Sequence, residues 1–396
     1  CDERNYFGGR LITHQKPHYE IGGARFHDGH PLLLQLLKTY HCHKIPLPKS
    51  SLFLEQTPEE NIIPYHHVED TLKSIMNHIF ADSKKYSKEY LQKFSNAESV
   101  EDQINTILDV NEQNKEYHSY AAMASLNFSR DINNKNAKAE KDFYDSIGPD
   151  MIEISDSFEK AVNQSKYKNE LSKKWGEKFL SDIEMALKTF DPKIKEMLKE
   201  ETKLQNEYTK LTAGAKIHYD GKEYNLAGLG PFHSNEDRTV RKTSYEARFD
   251  WFENNSEALD DIYDKLVKLR HRIATTLGYD NFIELGYMRM GRSDYGPKEV
   301  AKFRKQIVDH VVPIVKKLDQ KKKEILGLNH LYFYDGINFK AGNPQPKGSP
   351  DHLIKEAQVM YRELSKETGD FFDMMVAEEL MDLVNRKGKR PGGFCT

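Results

Sequence analysis

Apolar residues recur every three or four positions over long stretches of this chain, and this pattern constrains the fold more than any other feature. Such spacing places side chains on one face of an α-helix. In one stretch the recurring residues are Leu259, Ile262, Leu266, Leu269, Ile273 and Leu277. Gly278 follows them and predicts the C-terminal cap of that helix.

Two further stretches show the same periodicity. One predicts a helix that begins near Pro297, is kinked at Pro313 and ends at Gly327. Its apolar residues are Val300, Phe303, Ile307, Val311, Ile314 and Leu318. The other begins at Ser349-Pro350, a cap followed by a first-turn proline, and we expect it to continue to Gly388 with a break near Gly369. Its apolar residues are Phe371, Phe372, Met375, Leu380, Leu383 and Val384.

One β-hairpin is predicted within the helical part. Residues 215–219 and 222–226 flank Asp220-Gly221, and this dipeptide supplies the positive φ angles of a two-residue turn. The first 60 or so residues have a different texture, rich in Gly, His and Pro. The sequence therefore predicts a mainly α fold with one hairpin near 215–226, preceded by a small irregular α/β segment.

Composition excludes several classes of partner. The 396 residues include 59 basic and 62 acidic side chains, a balance without an electrostatic footprint for nucleic acid. No apolar stretch approaches the ~18–20 residues that span a bilayer, so no membrane partner is expected. The three cysteines are widely spaced and no signal peptide is evident, which favours a reducing, cytoplasmic location. The oligomeric state and any peptide preference are left open.

Collinear stretches over about three quarters of the chain carry a resemblance to a known family. They are residues 207–217 (EYTKLTAGAKI), 237–247, 284–295 (ELGYMRMGRSDY), 342–348 (GNPQPKG), 379–383 and 387–396. On these motifs, residues from about 96 to 396 resemble the oligoendopeptidase F type of zinc metallopeptidase, in the same broad family as thimet oligopeptidase. The resemblance implies a helical fold in which two lobes enclose a narrow cleft that admits short, unstructured peptides.

That family uses a His-Glu-x-x-His helix whose histidines bind Zn²⁺ and whose glutamate is the general base, with a downstream glutamate as third ligand. None of the 16 histidines here is followed directly by glutamate, so the motif is absent. The resemblance therefore predicts a truncated metalloendopeptidase that is inactive alone, with zinc belonging to its full-length parent. No catalytic residue or metal ligand is assigned on this chain.

The resemblance also indicates one substrate-binding segment. Gly392, Gly393 and Phe394 match the start of the small active-site sheet, where glycines would let a peptide backbone approach. The alternative is that these glycines only serve the turn out of the last helix. We expect Arg238, Arg241 and Arg248 to form structural ion pairs, not to bind substrate, and Arg289 and Arg292 to be interior salt-bridge residues.

The N-terminal segment carries a second, shorter resemblance. Gly8, Gly9 and Arg10, followed by residues 19–26 (YEIGGARF), are similar to flavin-dependent amine oxidases over about the first 50 residues, with a weaker tail to residue 95. The Gly-Gly-Arg turn would lie beside FAD, but the strand and Gly-x-Gly-x-x-Gly loop that bind this cofactor are not in the sequence. We therefore expect domains at 1–95 and 96–396, the first a passenger fragment without FAD.

His41-Cys42-His43 is the one arrangement that suggests a metal ligand set. No partner cluster with ligand spacing follows it, so we interpret it as a helix end before Pro46. Three functional hypotheses remain: the truncated peptidase, a flavin-dependent amine oxidase fragment, and a non-catalytic helical interaction protein. Coverage favours the first. The truncated-peptidase hypothesis also predicts that apolar side chains near the C-terminus are exposed. They are Phe371, Phe372, Met374, Met375 and Phe394.

Overall fold

The computed structural model describes residues 86–344 and 346–393, except the side chain of Glu116, together with the backbone of four short strands nearer the N-terminus. These are β1 (Tyr19–Ile21), β2 (Ala24–Phe26), β3 (Cys42–Lys44) and β4 (Leu54–Gln56). β1 pairs with β2 and β3 with β4, both antiparallel. The expected helix end before Pro46 is wrong, because Cys42 and His43 lie in strand β3.

From residue 86 onward the described protein is mainly helical, as predicted, beginning with a helical segment at 86–95. The helices are α1 (Val100–Arg130), α2 (Lys135–Asn163), α3 (Lys168–Trp175), α4 (Glu177–Leu187), α5 (Lys195–Ala213), α6 (Gly230–His233), α7 (Arg238–Asn254), α8 (Ser256–Thr276), α9 (Phe282–Arg289), α10 (Pro297–Gln306), α11 (Val312–Leu326), α12 (Pro350–Leu364) and α13 (Lys366–Ala377). A short 3₁₀ turn, Pro192–Ile194, precedes α5, and a π-helical turn, Ile307–Val311, joins α10 to α11. The described chain divides into two compact units.

Of the described residues, the first unit contains those up to Gln205 and Lys265–Pro297. It holds two apolar clusters. One joins Phe94 to α1, α2, α3 and α4 through Ile104, Ile107, Val162, Leu171 and Ile183. The other contains Phe190, Ile194, Leu204, Leu269, Ile273, Ala274 and Leu285. Leu269 and Ile273 belong to the apolar face predicted for α8, and Gly278, at φ +91°, ends the turn after it as predicted.

The second unit contains Asn206–Asp264 and the described residues from Lys298 onward. Its hairpin pairs β5 (Ile217–Tyr219) with β6 (Lys222–Tyr224) in antiparallel register. Asp220 has φ +47° and Gly221 has φ +72°, the two positive angles that the sequence predicted. The hairpin's base packs Ala215, Ile217, Leu226 and Leu229 into a buried cluster with partly buried aromatic residues of α7.

The helix predicted from Pro297 to Gly327 contains an irregularity at the predicted proline. Pro313 lacks an N–H and its ring disfavours regular α-helical geometry in the turn before it. The chain responds with the π-helical turn Ile307–Val311, immediately N-terminal to α11. Gly327, at φ +67°, caps α11 in the left-handed conformation, as predicted.

The last predicted helix differs from the structure in two places. Its start is right, since the Ser349 side chain accepts a hydrogen bond from the His352 N–H. The break falls at Ser365, which is extended and caps α13, and not at Gly369. A Cβ at Gly369 would lie 2.9 Å from the Arg362 Cα, so glycine there permits close packing of α13 on α12. The helix then ends at Ala377 and not at Gly388; Glu379 adopts φ +54°, and the Leu380 N–H donates to the Met375 carbonyl at 2.9 Å.

Candidate functional site

The predicted substrate-binding glycines lie at the end of the described chain. Gly392, at φ +95°, and Gly393 are exposed, and a Cβ added to either would meet no atom within 4 Å. Neither residue is in a strand in the structure, and Phe394 lies outside the described residues. The geometry leaves room beside both glycines, and their role in binding substrate stays a prediction.

In the segment 382–389, which precedes these glycines, several hydrogen bonds converge on one carboxylate, that of Asp382. Both oxygens of Asp382 accept hydrogen bonds from the two terminal nitrogens of Arg386, each at 2.7 Å. Lys389 Nζ adds a bond of 3.0 Å to Asp382 Oδ1 and also donates to the carbonyls of Asp382 and Val384. Hydrogen bonding from Arg386 lowers the pKa of Asp382. The chain from 382 to 389 is therefore folded on itself around an ionised carboxylate.

The same segment is attached to the residue that follows the hairpin. Asn225 and Asn385 exchange side-chain amide hydrogen bonds of 3.0 Å in both directions. Asn225 Nδ2 also donates to the Arg386 carbonyl at 3.1 Å, and Lys387 pairs with Glu223 of β6 at 3.2 Å. Of these residues, Lys387 alone falls in a stretch that carries the resemblance. Together they fix the backbone six residues before Gly392 against the hairpin.

Asp335 is the buried acid of the second unit, and two of the predicted arginines converge on it. Arg241, which is 2% exposed, donates to Asp335 at 3.3 Å and to the carbonyls of Tyr334, Asn235 and Glu236 at 2.8–3.0 Å. Burial alone would raise the pKa of Asp335, but hydrogen bonds from Arg238, the Tyr332 N–H and Arg241 lower it to about 2. All of these partners lie within the protein, so Arg241 has a structural role, and the ion pair predicted for it is confirmed.

Arg238 completes this arrangement. It binds Asp335 through Nε and Nη2 at 2.8 Å each, and its guanidinium lies 5.6 Å from the ring centre of Tyr332 and 5.3 Å from that of Tyr334. The predicted structural ion pair is confirmed. For Arg248 the prediction is wrong: it donates to the Leu226 carbonyl at 2.7 Å and lies over the Phe252 ring. A neutral carbonyl replaces the expected acid.

A second buried acid organises the first unit. Glu201 accepts hydrogen bonds from Arg270 at 2.7 Å and from Arg289 at 2.8 Å, one on each carboxylate oxygen. Both guanidinium groups also lie over the ring of Phe282. The salt bridge predicted for Arg289 is confirmed, but the arginine is not interior, since its side chain is 30% exposed and only Glu201 is buried. Arg292 instead lies over the rings of Tyr287 and Tyr295, at 4.9 and 5.6 Å.

Sequence reasoning missed Asp335, Glu201 and Asp382, the three acids around which these networks are built. Asp382 lies four residues before Arg386, but Asp335 and Glu201 have no spacing that sets them apart from the other acidic residues. Asp335 lies 97 positions from Arg238, and Glu201 lies 88 positions from Arg289. Only the tertiary fold brings such pairs together.

The residues that the structure describes contain no cluster of metal-binding side chains. Over residues 86–344 and 346–393, no three His, Cys, Asp or Glu side chains lie together in a group that could hold an ion. In the same ranges, none of the helices has the length and apolar character needed to cross a bilayer. Gly8, Gly9 and Arg10, assigned to an FAD remnant, fall outside the described residues, as does His41.

Comparisons with known proteins identify the family. The model of the peptidase M3 N-terminal domain matches residues 77–190, and the model of peptidase family M3 matches residues 232–396. Neither covers residues 1–76, so the amine oxidase resemblance and the boundary at residue 95 stay predictions.

Solved structures show the same relationship. PZ peptidase A, in a complex with an inhibitor, is 42% identical, with a TM-score of 0.79 over 80% of this chain. A protein from Bacillus anthracis str. Ames assigned as an oligoendopeptidase F is 37% identical, with a TM-score of 0.78 over 80% of this chain. An oligoendopeptidase F homolog of Borreliella burgdorferi is 24% identical over 170 residues, which are 41% of this chain and 27% of its own length.

This chain spans 57% of the PZ peptidase A chain and 58% of the Bacillus anthracis chain. The two family models match it in sequential order, and the helical fold agrees with the solved relatives. The protein belongs to peptidase family M3, and its described part has the fold of the oligoendopeptidase F type.

Proposed function

We propose that this chain is part of a zinc-dependent oligopeptidase that hydrolyses short, unstructured peptides. The observation that carries the proposal is the ordered match of both family M3 models, at 77–190 and 232–396. The likeness to PZ peptidase A, at 42% identity, supports the oligoendopeptidase type. Zinc in such an enzyme would supply a Lewis acid that activates the attacking water.

The zinc itself is not assigned to this chain's residues. The 396 residues contain no His-Glu-x-x-His, and the described part brings no group of metal-binding side chains together. The donor set for zinc does not fit here, so no step of hydrolysis is placed on a described residue. We propose that hydrolysis requires a zinc-binding polypeptide segment in addition to these residues, and that this chain supplies scaffold and peptide contacts.

Gly392 and Gly393 are the proposed peptide contact. Both are exposed, and open space surrounds the position where a Cβ would stand. A peptide backbone could therefore approach closely, as it does along an open strand edge. The network of Asp382, Arg386 and Asn225 supports this proposal, because it holds the preceding segment to the hairpin. A cytoplasmic location is proposed from the sequence features given above, chiefly the few and widely spaced cysteines.

Peptide binding and peptide cleavage should be measured separately. With the 396-residue chain and fluorogenic peptides of five to ten residues, we expect no hydrolysis with or without added zinc. We expect weak binding of a labelled peptide, measured by fluorescence anisotropy, that Gly393→Val reduces several-fold. Gly148→Ala is the control, because a Cβ at Gly148 would also meet no atom within 4 Å. This variant should leave binding unchanged.

Chelator-sensitive hydrolysis by this chain alone would overturn the proposal that zinc ligands come from outside it. Peptide binding that is the same in Gly393→Val and in the unsubstituted chain would overturn the proposed contact.

A further inference from the structure

The helical stretch from Pro297 to Leu326 exposes a continuous set of apolar side chains. None of its residues is buried in the described structure. The most exposed include Phe303 at 61%, Ile314 at 58% and Leu318 at 59%. We call this set the α10–α11 face. Its members are Phe303, Ile307, Val308, Val311, Ile314, Val315 and Leu318.

The α10–α11 face is a set of neighbouring apolar side chains and not a few isolated ones. Single exposed apolar residues are normal, but contiguous apolar patches on soluble proteins mark interaction sites. Ile307, Val311, Ile314 and Leu318 repeat at intervals of four, three and four residues, the spacing with which one helix packs against another. The α10–α11 face therefore fits a helix as its partner.

The charges beside the face specify the partner further. Between residues 297 and 326, nine Lys or Arg residues stand against four Asp or Glu residues. Lys317 follows Ile314 by three residues, and Lys321 and Lys322 follow Leu318 by three and four, so these lysines lie beside the face. A complementary helix would carry acidic residues along the edges of its apolar stripe, because such pairing favours association and orients it.

The lengths of the relatives indicate where such a helix is found. This chain spans 57% of PZ peptidase A, so that protein contains a large portion with no counterpart in the match. We propose that the α10–α11 face is a docking surface for an acidic amphipathic helix from that portion of an M3 peptidase. The proposal rests on family membership and not on peptide hydrolysis by this chain.

The test is a binding measurement with two purified polypeptides. The 396-residue chain is mixed with the separately expressed portion of PZ peptidase A that lies outside the match, and complex formation is followed by sedimentation velocity and calorimetry. We expect a one-to-one complex. Ile314→Asp combined with Leu318→Asp should weaken it at least ten-fold, since both side chains are exposed and their replacement leaves the helix intact. Circular dichroism checks that the variant is folded.

Gln320→Asp is the control, because it introduces a negative charge on the opposite side of α11 and should leave binding unchanged. Three outcomes contradict the proposal. The first is no complex with the unsubstituted chain. The second is self-association of the chain that the double variant abolishes and the added portion does not compete with. The third is binding to phosphatidylglycerol vesicles, lost in the double variant, without binding to the peptidase portion.

Discussion

Arg238 and Asp335 form a bidentate pair in which two parallel N–H···O bonds of 2.8 Å join the guanidinium to the carboxylate. The carboxylate is fully buried, whereas the arginine side chain is 39% exposed. Arg241 shares the same acid from inside the unit. This acid thereby links the start of α7 to the segment between α11 and α12, whose described residues, 328–344 and 346–349, form no helix or strand.

Replacing Asp335 with asparagine should destabilise the second unit strongly. The substitution preserves shape but leaves the buried Arg241 without a counter-charge, a change that costs about 3–5 kcal/mol. The free energy of unfolding, measured by urea denaturation with circular dichroism, should fall by at least about 3 kcal/mol. Asp373→Asn is the control, since Asp373 makes the same bidentate pair with Arg362 at 34% and 57% exposure and should lose less than about 1 kcal/mol. Equal losses in the two variants would show that burial of Asp335 does not matter.

The adjacent acids Glu200 and Glu201 offer a similar contrast in the first unit. Glu201 is 4% exposed and binds two arginines, whereas Glu200 is 53% exposed and binds Arg272 at 3.2 Å. Glu201→Gln should lower the free energy of unfolding by about 2 kcal/mol, because it weakens two charge-assisted hydrogen bonds in a site shielded from water. Glu200→Gln should change it by less than about 0.5 kcal/mol. The reverse order, in the same denaturation experiment, would be incompatible with the geometry.

Glu159 should make the stability of the first unit depend on pH. Burial and the charge of Asp156 raise the pKa of Glu159 to about 7. A carboxyl whose pKa is higher in the folded state favours folding while it is protonated, so stability is greatest below its unfolded pKa of about 4.5 and falls as the pH rises through 7. Glu159→Gln should therefore raise the free energy of unfolding at pH 8 by roughly 1–3 kcal/mol and have little effect at pH 4.

The measurement for Glu159 is a series of urea denaturations between pH 4 and pH 8. Glu89→Gln is the control, since Glu89 is exposed on the surface of the same unit and its replacement should leave the pH profile unchanged. A Glu159→Gln profile parallel to that of the unsubstituted chain would refute the prediction.

Gly221→Ala should destabilise the hairpin through backbone conformation alone. Gly221 has φ +72°, an angle that costs an L-residue about 1 kcal/mol, and a Cβ there would meet no neighbour within 4 Å. Gly393→Ala is the control, because Gly393 has no positive φ and equally open surroundings. We expect a loss of about 1 kcal/mol for the first and less than about 0.5 kcal/mol for the second, measured by thermal unfolding. A cost at Gly221 no larger than at Gly393 would mean that the turn tolerates alanine.

Much of the fold follows from local patterns in the sequence. The apolar spacing around Leu269 predicts α8. The Asp220-Gly221 dipeptide, which tolerates positive φ angles, predicts the hairpin, and Gly278 and Gly327 predict helix ends. These features depend on side-chain periodicity and on the φ angles that single residues tolerate, which act over a few residues only. The break at Ser365 shows the limit. Gly369 looks like a helix breaker in sequence, but the structure uses it for close contact with Arg362.

By itself, the sequence determined the mainly helical class, the hairpin, several helix ends and, through collinear motifs, the peptidase family. Only the tertiary structure decided which acids pair with which arginines, that the last helix ends at Ala377, and that the α10–α11 face remains exposed. The physical reason is that helices and turns are selected by short-range sterics and hydrogen bonding. A pairing such as Arg241 with Asp335, 94 residues apart, depends on how the whole unit closes around it.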